Sequence, residues 1–249
     1  MAKTFEALIK AEKEDQIRPE ESKIFDSKPH SKPYIPVSFK LPTYIVEEYH
    51  RMKHVLLSAS PGKEMKTLMF FSAAEGDGTS TALINFAITL ASEGDRVLLV
   101  DANLRNPSLH DPFRTEKKSG LTELVSENRK LEEVVKETPI SNLSVITGGI
   151  PHSSPSSIFE SSLLDALIEQ MKTRADWVLF DSPPINAYND SRTLATKMDG
   201  VVMVVQAEKT RWEVAQSARQ RMEHDKVKIL GVALNKRQMH IPEWAYKML

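Results

Sequence analysis

The sequence FFSAAEGDGTST, residues 70–81, has the spacing of a phosphate-binding loop but lacks that loop's lysine. It follows an apolar run and leads into an amphipathic segment, which is the strand–loop–helix setting of a P-loop. Gly76 and Gly78 allow the backbone to curl around phosphate groups, and the start of the next helix offers free N–H groups. In the usual pattern, G-x-x-x-x-G-K-S/T, Ala73 stands at the first glycine position and Thr79 at the lysine position. The sequence therefore predicts a nucleotide site that is intact in shape and impaired in chemistry.

Composition restricts the classes of protein that this chain can represent. Its 249 residues suffice for one α/β domain with an extension, and a net charge of -1 gives no support for nucleic-acid binding. The absence of cysteine excludes thiol catalysis, thiolate zinc sites and cysteine-ligated clusters. No apolar signal segment is evident, and no apolar run approaches the roughly 20 residues needed to span a bilayer. We therefore expect a cytoplasmic protein, with any membrane contact peripheral at the inner face or through a partner.

The chain divides into three parts by composition. Residues 1–14 carry an apolar stripe that includes Phe5, as in a short amphipathic helix. Such a helix is either frayed in solution or a docking helix for a partner's groove. Residues 15–42 are rich in proline with few large apolar side chains, which predicts a flexible linker. A single domain is expected over residues 43–249.

Within residues 43–249, short apolar runs alternate with amphipathic segments. Strands are predicted at residues 68–71, 97–101, 143–146, 178–181, 201–205 and 229–234. Helices are predicted at residues 44–57, 79–93, 121–125, 131–135, 157–172, 191–196 and 212–222. This alternation predicts a three-layer α/β fold with a mostly parallel sheet, whose ligand lies at the carboxyl ends of the strands. The P-loop, Asp101, Asp181 and Asn235 should converge there.

Two strands end in an acid: VLLVD ends at Asp101 and WVLFD ends at Asp181. A carboxylate beside a P-loop can hold a metal-bound water or accept a proton from an incoming hydroxyl. A single aspartate at a strand end more often caps the next turn. Two of them in a chain with a P-loop favour the functional interpretation.

These three segments resemble the Walker A, Walker A′ and Walker B motifs of the bacterial tyrosine kinases, or BY-kinases. This family is related to the MinD/ParA-type P-loop ATPases and works in capsule and exopolysaccharide export. DANLRNP at residues 101–107, followed by His110 and Phe113, is similar to the family's D-A-D-L-R-x-P-x-x-H-x-x-F. DSPP at residues 181–184, followed by Asp190, is similar to its D-S-P-P…D. The resemblance extends over about residues 43–249.

The resemblance implies ATP or ADP with Mg²⁺ as cofactors, and the substitutions at Thr79 and Asn103 predict that their binding is weak or lost. The implied phosphate cradle is the backbone of Gly76, Asp77, Gly78, Thr79 and Ser80. Thr81 is expected to reach the α-phosphate, and Asn235 to contact the adenine.

The resemblance also implies the catalytic and metal residues. Asp101 is the expected catalytic base, and Asp181 is expected to help hold the metal's water. Ser80, Asp101 and Asp181 form the expected metal site. The implied partner is a membrane-anchored polysaccharide co-polymerase or chain-length determinant, and self-association is also compatible with the family.

Four features depart from the family pattern. Thr79 removes the lysine that grips the β- and γ-phosphates, and by analogy with other electrostatic stabilisers such a loss costs on the order of 10² to 10³ in rate. No lysine lies between Ser72 and Thr81 to replace it. Asn103 replaces the second aspartate of Walker A′. Glu47, His50 and Lys53 stand at the positions of the ring-contact motif E-x-x-R-x-x-R, so both of its arginines are missing. The C-terminal tyrosine cluster is reduced to Tyr246.

Three functions are compatible with these features. The departures favour a pseudokinase or nucleotide-sensing interaction module in polysaccharide biosynthesis. The alternative is an active Mg-ATP-dependent tyrosine autokinase or ATPase, in which Arg105, Arg211 or the Arg51 of a neighbouring subunit supplies the missing cation. A ParA/MinD-like positioning switch is the third hypothesis.

Overall fold

The computed structural model describes residues 41–59 and 65–237 of the chain. The helix predicted at residues 1–14, nearly all of the linker predicted at residues 15–42, and Tyr246 lie outside the described residues. The helices are α1 (Thr43–Ser58), α2 (Thr79–Ser92), α3 (His110–Phe113), α4 (Leu121–Ser126), α5 (Leu131–Val134), α6 (Pro155–Phe159), α7 (Ser162–Arg174), α8 (Asp190–Ala195) and α9 (Trp212–His224). The strands are β1 (Thr67–Ser72), β2 (Val97–Asp101), β3 (Lys136–Glu137), β4 (Leu143–Ile146), β5 (Trp177–Asp181), β6 (Gly200–Gln206) and β7 (Ile229–Asn235).

The strands form one sheet in the order β3-β4-β2-β5-β1-β6-β7. Every neighbouring pair is parallel except β3 and β4, which are antiparallel. The strand β1 lies between β5 and β6, so the loop that follows it opens at the middle of the sheet's carboxyl edge. The mostly parallel α/β sheet confirms the predicted fold class.

The central strands are buried on both faces, which explains their continuous apolar sequence. All six residues of β1 are buried, and successive side chains point to opposite faces. Met69 and Phe71 pack into a core cluster on one face, whereas Leu68 and Phe70 pack into a second cluster on the other. Helices therefore cover both faces of the sheet and complete the three layers.

One predicted helix is wrong in its extent. The segment 157–172 is not continuous, because α6 ends at Phe159 and α7 begins at Ser162. The side chain of Ser161 accepts a hydrogen bond from the Leu163 N–H at 3.2 Å, which caps the start of α7. This local capping bond starts a new helix where the apolar periodicity alone predicted continuation.

Candidate functional site

The loop between β1 and α2 has the backbone geometry of an anion cradle. Gly76 and Gly78 have φ values of +83° and +90°, in the left-handed region that favours glycine. Gly78 precedes α2, whose N-terminus has no side-chain cap, so its first N–H groups are available to a ligand. A Cβ at Gly78 would lie 2.3 Å from Asn235 Nδ2. The loop is therefore specific for glycine at this position.

The side chain of Asp77 points into the protein and holds the loop in shape. It is only 2% exposed. Its Oδ2 accepts the Ala74 N–H at 3.2 Å and its Oδ1 accepts the Thr210 hydroxyl at 2.6 Å. The sequence predicted only a backbone role for Asp77, whereas its carboxylate also links the P-loop to the segment between β6 and α9.

Asp101 is a buried carboxylate that is held by backbone donors. Its Oδ2 accepts the N–H groups of Ser108 and Leu109 at 2.8 and 2.9 Å, and its Oδ1 accepts that of Asn103 at 3.1 Å. These donors come from the turn after β2, which wraps around the carboxylate. They favour its ionised form and fix its orientation.

Asp181 lies next to Asp101 across the sheet, since the two residues are paired in the β2–β5 register. Ser80, in the first turn of α2, donates its hydroxyl hydrogen bond to Asp181 Oδ2 at 2.5 Å. Asp181 Oδ1 is buried and has no hydrogen-bond partner among the described residues. The three predicted metal residues therefore occupy one end of the sheet, and one carboxyl oxygen there has no hydrogen-bond partner among the described residues.

Burial makes the two aspartates unequal in charge. Desolvation raises the pKa of Asp101 to about 6, against the lowering effect of its backbone donors. Desolvation, followed by repulsion from the Asp101 charge, raises the pKa of Asp181 to about 8. At neutral pH, with no cation nearby, the pair therefore shares one proton, and the backbone donors around Asp101 favour its position on Asp181.

Thr79 is a buried residue at the start of α2, only 8% exposed, where the P-loop pattern has its lysine. Arg105, one of the predicted substitutes, donates from Nε to Asp190 Oδ2 at 2.8 Å and lies 4.7 Å from the centre of the Tyr188 ring. Arg51 contacts Glu48 of its own helix at 2.7 Å. Arg105 and Arg51 are thus already paired in this chain, and Arg211 directly precedes α9.

The two other departures within the described residues have structural roles. Asn103 Oδ1 accepts the Asn106 N–H at 3.3 Å and so closes the turn after β2. His50 and Lys53 of α1 both pair with Glu93, and Lys53 also contacts Asp95 at 2.6 Å. These ion pairs tie α1 to the end of α2.

Asn235 ends β7 and lies against the P-loop. Its Nδ2 donates to the carbonyl oxygens of Asp77 at 2.9 Å and Gly78 at 3.4 Å. Thr81 is exposed on α2. Their expected contacts with adenine and the α-phosphate remain predictions.

The sequence pattern did not predict two lysines that lie beside the loop. Lys236 donates from Nζ to the Gly76 carbonyl at 2.6 Å, and Lys209 Nζ lies 3.9 Å from the position that a Gly76 Cβ would occupy. Their position after β6 and β7 was the available signal, because the carboxyl ends of parallel strands meet at one edge.

Comparisons with known proteins agree with this geometry. Residues 65–223 match the family described as an AAA domain. The chain is 33% identical over 193 residues to tyrosine-protein kinase YwqD of Bacillus subtilis (strain 168), covering 78% of this chain and 81% of the relative. It is 34% identical over 191 residues to tyrosine-protein kinase CpsD of Streptococcus agalactiae, covering 76% of this chain and 83% of that relative.

Solved structures show the same architecture. The crystal structure of the chimerical protein CapA2B2 superposes with a TM-score of 0.74 at 26% identity, covering 84% of this chain and 89% of that one. The kinase domain of Escherichia coli tyrosine kinase ETK superposes with a TM-score of 0.72 at 23% identity, covering 79% of each chain, and shares the fold. Within the described residues, no helix is long and apolar enough to cross a membrane.

Proposed function

This chain belongs to the bacterial tyrosine kinase family, and we propose that it is a nucleotide-binding member whose phosphotransfer activity is lost or strongly reduced. The observation that carries the proposal is the loop itself. Its backbone keeps the left-handed glycines and the uncapped helix start, while the short, neutral and buried Thr79 replaces the cation. Binding through backbone N–H groups survives such a change, but stabilisation of the transferring phosphoryl group is weakened.

The residues present fit a nucleotide phosphate and a magnesium ion. The phosphates would be held by N–H groups of the P-loop, and the metal by the Ser80 hydroxyl and the Asp181 carboxyl, whose Oδ1 has no other partner among the described residues. No group of three or more histidine, aspartate or glutamate side chains in the described part of the chain is placed to hold a metal alone. Magnesium held by few protein ligands takes water and phosphate oxygens for the rest. When bound, it would neutralise phosphate charge.

Two observations argue against efficient phosphotransfer. Asn103 is engaged in its turn and brings no charge to the metal site. Arg105 is held by Asp190 and is not placed to replace the missing lysine. Both weaken the charge arrangement that phosphoryl transfer requires.

The biological setting that we propose is exopolysaccharide or capsule biosynthesis, from the family resemblance. In this role the domain binds a membrane-anchored partner of the polysaccharide export apparatus and reports its nucleotide state to it. The experiment for this part is co-purification of the full chain with that apparatus from cells. A protein recovered at the nucleoid instead would favour the positioning-switch hypothesis.

The chemical part is tested by measuring nucleotide binding and turnover on the full chain. We expect ADP and ATP to bind with little Mg²⁺ dependence, and ATP hydrolysis to be no faster than in Asp101→Asn, whose folding is checked by circular dichroism. Thr79→Lys alone should not produce a normal autokinase, because Asn103 is unchanged. Thr79→Gln serves as a control of similar length without charge.

The outcomes separate the candidates. Hydrolysis or tyrosine phosphorylation that disappears in Asp101→Asn would establish the active-kinase alternative. Robust tyrosine phosphorylation by Thr79→Lys, absent in Thr79→Gln, would show that the lysine was the one missing part. Absence of any nucleotide binding would refute the proposal as a whole.

A further inference from the structure

Two lysines from distant parts of the chain flank the exposed Gly76 of the P-loop. Lys236 reaches the loop from the end of β7, and its Nζ donates to the Gly76 carbonyl at 2.6 Å and to Gln206 Oε1 at 3.3 Å. Lys209 reaches it from the segment after β6, and its Nζ lies 3.9 Å from where a Gly76 Cβ would be. Both side chains are exposed at the mouth of the loop.

The fold places Lys209 through an anchored turn. The hydroxyl of Thr210 donates to Asp77 Oδ1 at 2.6 Å, and the oxygen of that hydroxyl accepts the Gln206 N–H at 3.3 Å. The Thr210 N–H in turn reaches the Gln206 carbonyl at 3.1 Å. The residue next to Lys209 is therefore tied to the P-loop itself, which keeps the lysine beside the loop.

The fold places Lys236 through β7. Asn235 is paired with Gln206 in the β6–β7 register, and its side chain donates to the carbonyls of Asp77 and Gly78. Lys236 follows with φ +54°, which turns the chain back, and its N–H bonds Asn235 Oδ1 at 2.9 Å. A left-handed conformation is uncommon for lysine, and here it directs the side chain over the loop.

Neither lysine forms an ion pair with a described residue. Within residues 41–59 and 65–237, neither ammonium group has a carboxylate within salt-bridge distance, and Lys236 bonds only to neutral oxygens. This contrasts with Arg105, which is paired with Asp190. Two cations without a carboxylate partner in the described part of the chain, beside a backbone anion cradle, form a site for a multiply charged anion.

We propose that Lys209 and Lys236 together supply, from outside the loop, the positive charge that Thr79 no longer supplies from within it, and that they hold the polyphosphate of the bound nucleotide. The inference rests on the proposed function, since it requires a nucleotide in the loop. Lys236 would exchange its bond with the Gly76 carbonyl for one with a phosphate oxygen. Exposed and flexible ammonium groups stabilise a bound phosphate but are poorly preorganised for a transition state, which agrees with binding without efficient transfer.

The test compares charge-removing and charge-retaining variants of the full chain. Titration calorimetry gives the affinity for ADP in Lys209→Gln, Lys236→Gln and the double variant, with Lys236→Arg as the charge-retaining variant. Lys130→Gln is the matched control, because Lys130 is exposed and precedes α5, next to β3 at the opposite edge of the sheet from β7. Inorganic pyrophosphate, as a competitor of ADP, reports the phosphate contacts without the base.

Each lysine-to-glutamine change should weaken ADP binding by about tenfold, as expected for one exposed charge-assisted hydrogen bond. In the same variants, the affinity for pyrophosphate measured by competition should fall by the same factor. Lys236→Arg should bind ADP with nearly wild-type affinity, and the affinity of Lys130→Gln for ADP should be unchanged. Thermal unfolding should show all variants folded, since the altered side chains are exposed.

Three results would overturn the inference. Normal ADP affinity in the double variant would show that the lysines make no contribution, while leaving the proposed function intact. Weakened ADP binding with unchanged pyrophosphate competition would place the lysines at the base or ribose. A wild-type protein that binds no nucleotide would refute the proposed function, and this inference with it.

Discussion

Replacing Asp181 by asparagine should stabilise the apo protein at neutral pH, although Asp181 is a candidate metal ligand. The carboxyl group is buried beside Asp101, and desolvation together with that charge raises its pKa from 3.8 to about 8. The folded protein therefore holds a proton that the unfolded chain releases near pH 4. Asparagine is neutral at every pH and can still accept the Ser80 hydrogen bond that Oδ2 now accepts.

The magnitude follows from linkage between proton binding and folding. Because the folded pKa of Asp181 lies above the unfolded one, the contribution of this group to stability is most favourable below about pH 4 and is lost as pH rises towards 8. At pH 7 the unfolded chain has lost this proton, and pH 7 lies about three pKa units above its unfolded pKa of 3.8. Keeping the proton in the folded state therefore lowers the free energy of unfolding by about 4 kcal/mol as an upper bound. Relaxation around the buried pair reduces this, so we expect Asp181→Asn to gain about 2–4 kcal/mol. For a domain of this size that corresponds to roughly 5–15 °C in the unfolding midpoint.

The assay is thermal and urea unfolding of both proteins, without nucleotide or Mg²⁺, across the range from about pH 4 to pH 8. The difference between the two should be small at the acidic end and grow with pH. Asp176→Asn is the control of opposite sign, because its bonds with Arg96 lower the pKa of Asp176 to about 2. That pair is exposed and screened by solvent, so its loss should cost little stability, and that cost should disappear towards acidic pH. A difference for Asp181→Asn that is unfavourable, or independent of pH, would refute the reasoning.

The remaining predictions concern the supports of the site. Asp101→Asn should lower the free energy of unfolding, measured in urea, by about 1–3 kcal/mol. Both carboxylate oxygens accept backbone N–H groups, and the amide must turn its own NH₂ group towards at least one of these donors. Gly78→Ala should lower the free energy of unfolding by more than about 1 kcal/mol and weaken ADP binding, because φ is +90° and the added Cβ would lie 2.3 Å from Asn235 Nδ2. Thr210→Val should lose about 1 kcal/mol and speed amide hydrogen exchange between β6 and α9, since it removes the bond to Asp77. Unchanged stability or exchange in these variants would contradict the corresponding contact.

The sequence predicted the sheet well because parallel strands buried on both faces are continuous apolar runs. The predicted bounds of β2 and β4 coincide with Val97–Asp101 and Leu143–Ile146. The antiparallel β3 was missed because it has only two residues, Lys136–Glu137, and neither is fully buried. The helix predicted at residues 157–172 was wrong because a capping bond within three residues interrupts it.

The candidate site was predictable where a functional side chain stands at the carboxyl end of an apolar strand, as Asp101 and Asp181 do. It was not predictable where contacts depend on side-chain direction between distant segments. Lys236 contacts the carbonyl of Gly76, which is 160 positions away, and no local pattern records that approach. The proton on Asp181 likewise arises from its register with Asp101 and from complete burial, both of which are properties of the folded sheet.

The missing lysine and the protonated aspartate are connected by electrostatics. Thr79 directly precedes Ser80, whose hydroxyl contacts Asp181, so a lysine at position 79 would bring a cation close to the carboxyl pair. A nearby positive charge favours the ionised carboxylate and lowers its pKa. Thr79→Lys should therefore reduce the stabilisation gained by Asp181→Asn at neutral pH.

A double-mutant cycle at about pH 7 measures this coupling, with Thr79→Gln as the uncharged control. Equal gains in the wild-type and Thr79→Lys backgrounds would show that the two sites are independent. A smaller gain in the Thr79→Lys background, but not in the Thr79→Gln background, would show that loss of the loop cation is what allows Asp181 to keep its proton.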